Sequence, residues 1–262
     1  MTTVKDIMDF MENLAPQYMK MGNDRVGLNC GRIDASVSTV LISLDASTAA
    51  CREAKEVGAQ LLLTHHALLY HPEFINEASE AGRNALFLIE NHIAHFNAHT
   101  NLDCAPGGVN DCFANALGLK DIEVICPDGT DSKGRPYGLL RSGTVETQTL
   151  TDFLPLVKEK LGTPVLKYAD SGRPVSKVAV GGGTCGEFLQ QAADAGCDTF
   201  VTADCAYHQF FEAQFRGINL IDAGHLHTEN PVCAMLAEKL QSAFPDIQVL
   251  ISRKNTDVAK FF

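Results

Sequence analysis

Shifted by 138 positions, the chain lies on itself. The run VSTVLISLDASTAACREAKEVGAQLLLTHH, starting at Val37, falls without a gap on VSKVAVGGGTCGEFLQQAADAGCDTFVTAD, starting at Val175. Val37, Ser38, Val40, Ala54, Gly58 and Thr64 then face Val175, Ser176, Val178, Ala192, Gly196 and Thr202, and Ile42 opposite Val180 and Leu63 opposite Val201 continue the apolar pattern. Six identities in thirty would carry little weight alone. Ungapped agreement through an aliphatic run, a helical stretch, a glycine and a second aliphatic run carries more, since repeats of this size are supersecondary units. Short aliphatic runs alternating with helical patterns are the signature of an α/β protein. TVLISLD (39–45) reads as a buried strand, TAACREAKEVGAQ as a helix ended near Gly58, and LLLTHH (61–66) as a second strand. IEVICP (122–127) also resembles IQVLISR (247–253) in kind and place. The expected architecture is two similar α/β domains, an internal duplication. The first spans 1–126 and the second 127–262, and they meet in the Pro/Gly/Asp-rich stretch CPDGTDSKGRP. The C-terminal segment is expected to pack back on the first domain.

Composition narrows the function classes. A chain of 262 residues that is 45% hydrophobic and 20% charged has ample core and is neither collagen-like nor disordered. No stretch approaches the ~18 apolar residues of a membrane span. A net charge of −11 disfavours phosphate backbones and anionic lipid as partners. Nine cysteines with no CxxC read as reduced, mostly buried thiols in a cytoplasmic protein.

The nine histidines are not scattered. Thr64-His65-His66 ends a predicted strand, where α/β sheets place ligand sites. Neighbouring side chains on a strand point to opposite faces, so the two imidazoles share a task only where the strand stops. His99-Thr-Asn-Leu-Asp103 follows another strand, with a glycine turn and a helix after it (GGVND, then CFANALGL). His225-Leu-His227-Thr-Glu229 follows the strand GINLIDAG, and His225 and Glu229 stand at i and i+4 on one face of a helical turn. Imidazole and carboxylate are ligands for Zn²⁺, Mn²⁺, Fe²⁺ and similar ions. About five such donors exceed the needs of one tetrahedral ion and favour two ions roughly 3.5–4 Å apart, the hydrolytic arrangement.

Two further segments compete for attention. Gly181-Gly-Gly183-Thr-Cys-Gly186 matches G-x-G-x-x-G after the strand KVAV and before the helix EFLQQAADAG. The repeat sets Gly181–Gly183 against Ser43–Asp45, which makes this an ordinary strand-to-helix turn. A loop whose amides face an anionic substrate is the better reading than a dinucleotide site. In Thr202-Ala-Asp204-Cys-Ala-Tyr-His208, the repeat replaces His65 and His66 by Ala203 and Asp204. His208 is a candidate proton donor that Asp204 would orient.

Together HTNLDCAPGGVND, LLLTHHALLYHP and DAGHLHTEN resemble the GTP cyclohydrolase 1 type 2 homologs, also called NIF-three-like dinuclear-metal-centre proteins, in order and over nearly the whole chain. That resemblance implies two divalent cations per subunit, with His65, His66, Asp103, His225 and Glu229 as ligands and Glu229 as the bridge. It implies that His99 and His208 stand near the site, as candidate catalytic residues. It further implies two similar α/β domains with the metals in the cleft between them, and a homohexamer built as a trimer of dimers. The expected activity is metal-dependent hydrolysis of a small polar molecule, with a metal-stabilised scaffold or regulatory binding protein as the alternative. The chain departs from the family's Trp-Asp-Asn-x-Gly-Leu run: it reads Gly22-Asn23-Asp24-Arg25-Val26-Gly27-Leu28, has no tryptophan and alters the Asp/Asn order.

Overall fold

A computed structural model describes residues 1–70 and 74–261. His71, for which the sequence suggests no role, lies outside the described residues. Contacts divide the chain into two compact units. The first is Met1–Leu102 with Cys233–Val258; the second is Asp103–Val232 with the short tail from Ala259. The division therefore falls at Leu102/Asp103 and not near residue 126. The Pro/Gly/Asp-rich stretch taken for a boundary forms a small hairpin inside the second unit, Gly129–Thr130 paired with Pro136–Tyr137. Gly, Pro and Asp mark tight turns wherever they fall.

The first unit holds a five-stranded sheet in the order Gly27–Cys30, Ala94–Asn97, Leu61–Thr64, Thr39–Ser43, Gln248–Ile251. The last four run parallel and Gly27–Cys30 runs antiparallel at the edge. Leu61, Leu62 and Leu63 are fully buried, as expected for a strand covered on both faces. Ser47 caps the helix Thr48–Glu56 by accepting from the Ala50 amide. That helix and Glu80–Glu90 cover one face, packing Cys51, Ala54, Ala85 and Leu88 onto Leu41 and Leu62.

The second unit holds a six-stranded sheet in the order Lys120–Ile125, Leu140–Gln148, Val175–Val180, Thr199–Thr202, Asn219–Asp222, Lys167–Ala169. Val175–Val180, Thr199–Thr202 and Asn219–Asp222 are parallel, and their three neighbours pair antiparallel. The core gathers Phe113, Phe153 and Val157 from two helices against Val178, Val201 and Ile221.

The offset of 138 carries into the hydrogen-bonded register. Val40 faces Leu61 in the first unit and Val178 faces Thr199 in the second; Ile42 faces Leu63 and Val180 faces Val201. Thr48–Glu56 corresponds to the helical stretch Gly186–Phe188 plus Leu189–Asp194. Each unit also adds an antiparallel edge strand beside its third parallel strand. The proposed correspondence of IEVICP with IQVLISR does not extend to place. Gln248–Ile251 pairs directly with Thr39–Ser43, whereas Lys120–Ile125 pairs with Leu140–Gln148 and lies one strand further out. Among the described residues, no helix is long and apolar enough to cross a membrane.

Candidate metal centre

In the first unit the strand Leu61–Thr64 stops at a hydrogen-bonded turn. The Thr64 hydroxyl donates to the carbonyl of His66 at 2.6 Å, and the His66 amide donates to Leu44 O at 3.0 Å. The Thr64 hydrogen is thus committed, so the contact with His95 Nε2 at 2.8 Å requires the imidazole to donate. His95 is fully buried, and burial pushes it down to about 3, so it stays a neutral strut. The turn brings His65 and His66 side by side, with ring centroids 4.9 Å apart.

Each imidazole is held by the same nitrogen. His65 Nδ1 meets Ala98 O at 2.8 Å, a partner that can only accept, so Nδ1 carries the hydrogen and Nε2 presents its lone pair. His66 Nδ1 meets Asp45 Oδ1 at 2.7 Å. His99 Nδ1 meets Asp24 Oδ2 at 2.9 Å, and its ring centre lies 5.1 Å from His65 and 5.5 Å from His66. One ligand atom from each of His65, His66 and His99 falls within 4.8 Å of the others. Asp24 also accepts from the Thr100 hydroxyl and amide, at 2.6 and 3.1 Å. Burial alone would raise this carboxyl, but the bonds from His99 and Thr100 outweigh it and hold it well below the usual carboxylate range.

In the second unit, the strand Asn219–Asp222 leads into the five-residue helix His225–Glu229. Asp222 accepts from the amides of Cys205 and Gly224 and pairs with Lys167 Nζ at 2.7 Å, anchoring the start of that turn. The i, i+4 spacing closes as expected, with His225 Nε2 lying 3.1 Å from Glu229 Oε2. His225 Nδ1 meets Asp204 Oδ2 at 2.7 Å, so this imidazole too is held through Nδ1. Glu229 and Asp103 are almost wholly buried, and their carboxylate oxygens come within 4.8 Å. Two unit charges at that separation repel by about 3.5 kcal/mol at an effective dielectric of about 20. A cation between the two oxygens would offset that repulsion.

The triple glycine closes this cluster. A Cβ built on Gly183 would stand 2.2 Å from Glu229 Oε1 and 3.0 Å from His225 Nε2, and Gly183 has φ +64°. Only glycine supports both that conformation and that approach. The three glycine amides do not form an anion cradle: Gly181 N–H donates to Val201 O, Gly182 N–H to Asn110 Oδ1 and Gly183 N–H to Thr228 Oγ1. Those amides have no hydrogen left for a substrate. His208 lies exposed on the helix Tyr207–Arg216, and Asp204 gives its carboxylate to His225 and Thr184. Sequence reasoning assigned no role to the orienting carboxylates Asp24 and Asp45 or to Asn110, although Asp24 and Asn110 lie in runs it singled out. Asp45, two residues beyond the strand Thr39–Ser43, carried a positional signal; the others carried none by spacing.

Three oriented imidazoles in the first unit, and one oriented imidazole with two close carboxylates in the second, are each donor types that suit divalent cations such as Zn²⁺, Fe²⁺ or Mn²⁺. An outer partner on each histidine is the arrangement that fixes a metal ligand's tautomer and ring plane.

Comparison with known proteins follows the same line. The sequence model of the family described as Duf34/NIF3 (NGG1p interacting factor 3) matches residues 2–258. A Clostridium perfringens protein named GTP cyclohydrolase 1 type 2 homolog is 33% identical over 264 residues, covering 98% of this chain and 99% of its own. A Nostoc protein of the same name is 36% identical over 228 residues, covering 85% and 84%. The crystal structure of a Staphylococcus aureus hypothetical protein superposes with a TM-score of 0.93 at 28% identity, covering 99% of each chain.

Proposed function

Because the chain belongs to the Duf34/NIF3 (NGG1p interacting factor 3) family, we propose that it binds two divalent cations and acts as a metal-dependent hydrolase on a small polar molecule. The ligands in this reading are His65, His66, Asp103, His225 and Glu229. The observation that carries it is the common anchoring of the imidazoles: His65, His66 and His225 each have Nδ1 fixed by an acceptor, which turns Nε2 into the coordinating atom. Glu229 would be the carboxylate shared by both ions, because within its own unit it comes close to both His225 and Asp103.

When bound, such cations supply Lewis acidity toward a carbonyl or phosphoryl oxygen and make water a usable nucleophile near neutral pH. The protein's own part is to hold and move protons beside them. His99, oriented by Asp24, is the proton-handling group in this reading. His208, exposed on its helix, is retained as a second candidate. The acidic chain suits a substrate whose negative charge is met by the cations. The relatives' name suggests a nucleotide or related ring system as the substrate class. Assembly as a homohexamer, a trimer of dimers, and a cytoplasmic location complete the proposal. It is supported by the family resemblance and by free thiols, most of them buried. The βαβ registers matched at an offset of 138 support an origin by duplication.

The test is a hydrolysis screen over nucleotides, phosphoesters and cyclic amides. The protein is compared after loading with Mn²⁺ or Zn²⁺ and after chelation. Metal-dependent turnover of one class supports the proposal. Chelation that lowers stability or assembly, with no turnover of any substrate by the loaded protein, supports a metal-stabilised scaffold instead.

A further inference from the structure

The GGVND motif places one side chain where it touches both carboxylate-bearing segments of the second unit. Asn110 is completely buried near the start of the helix Val109–Leu117. Its Nδ2 donates to the backbone carbonyl of Asp103 at 3.2 Å, and its Oδ1 accepts from the Gly182 amide at 2.7 Å. Gly182 and Gly183 form the wall behind Glu229: a Cβ on Gly182 would lie 3.1 Å from Glu229 Cγ, and one on Gly183 2.2 Å from Glu229 Oε1.

The two ends of one amide thus tie the main chain of Asp103 to the wall against which Glu229 rests. The remaining carbonyls at the end of the helix Thr100–Cys104 are met separately. Arg141, only 1% exposed, donates to Cys104 O and Ala105 O through Nη2 and pairs with Asp111 at 2.8 Å. That network secures residues 104–111 without Asn110. The amide is therefore not what holds the segment folded; its two bonds constrain where Asp103 stands relative to Glu229.

Resting on the dinuclear reading above, we propose that Asn110 is a positioning residue that sets the separation of the Asp103 and Glu229 carboxylates, and through it the spacing of the two cations. Asparagine is suited to this because it offers a donor and an acceptor on one rigid plane. Aspartate would lose the donor and add a third carboxylate to the cluster. Outer partners of this kind change metal affinity by roughly 10- to 100-fold when removed.

The experiment uses the full chain, with Mn²⁺ as the probe, in wild type, N110A and the near-isosteric N110L. Three measurements are made: melting temperature in chelator, Mn²⁺ stoichiometry and affinity by titration, and the electron paramagnetic resonance spectrum of the loaded protein. The wild type should bind two Mn²⁺ with a spin-coupled spectrum; if it does not, the dinuclear reading fails before Asn110 is tested. The proposal expects whichever variant melts close to wild type in chelator to bind Mn²⁺ at least tenfold more weakly and to lose or alter the coupled signal. A variant that takes up two Mn²⁺ with wild-type affinity and an unchanged coupled spectrum overturns it. So does failure of both variants to fold in chelator, which would make Asn110 a structural residue.

Discussion

Gly183→Ala separates the cost of backbone conformation from the cost of crowding the proposed metal ligands. Gly183 has φ +64° and Gly196 has φ +78°, so alanine at either position pays about 1–2 kcal/mol for the left-handed conformation. The surroundings differ. Nothing lies within 4 Å of a Cβ on Gly196, while one on Gly183 meets Glu229 Oε1 at 2.2 Å and His225 Nε2 at 3.0 Å. Glu229 Oε1 is the far end of a flexible side chain, so it can swing away at little cost to the fold. Ordinary contact begins near 3.4 Å, so the oxygen must retreat by roughly 1 Å, several times the ±0.2 Å tolerance of a metal bond. G183A and G196A should therefore lose similar stability in chelator by denaturant unfolding. Only G183A should lose Mn²⁺ or Zn²⁺ affinity, by at least tenfold, or about 1.4 kcal/mol. Equal metal affinity in G183A and G196A would refute the placement of Glu229 and His225 as ligands.

Further outcomes follow from the same geometry. Glu229→Gln should lower occupancy of both cations together, measured by elemental analysis; loss of one ion alone contradicts the bridging role. Asp204→Asn removes the anionic partner of His225 Nδ1 and should weaken metal binding roughly 10- to 100-fold in a titration, with the fold intact by circular dichroism. His95, held neutral with its value near 3, gains a proton only on unfolding. Its contribution to stability is complete above the unfolded value of about 6.5 and falls by about 1.4 kcal/mol per pH unit between there and about 3. Denaturant unfolding of chelated protein across that range should be shallower in pH for His95→Gln than for wild type, and an unchanged slope would contradict the assignment.

The repeat was legible because a βαβ unit writes its strand spacing directly into sequence: strand, helix length and glycine recur at one offset, and the register follows. The division between units was not legible. It falls inside the helix Thr100–Cys104, where no turn residue or change of composition marks it, while the C-terminal strand Gln248–Ile251 joins the first unit's sheet as expected. The nine-residue strand Leu140–Gln148 escaped for a related reason, since its polar second half sits against a sheet edge and lacks an apolar run. At the site, clustered donors such as His65-His66 and His225/Glu229 stood out because their chemistry is local. The groups that aim them did not. Asp45 and Asp204 each lie 21 residues from the histidine they hold, and Asp24 lies 75 residues from His99. Only the folded sheet brings such partners together. The triple glycine shows the opposite failure: a motif that reads as a phosphate loop serves here to admit Glu229 and His225.

The central claim is a centre of two cations held by oriented imidazoles and two carboxylates. Its most direct test is the number of divalent ions retained per chain after loading and extensive dialysis, measured by elemental analysis on wild type and on a His65→Ala/Glu229→Gln double variant. The account predicts two for the wild type and none for the double variant. Retention of one ion or none by the wild type, or of two by the double variant, would contradict it.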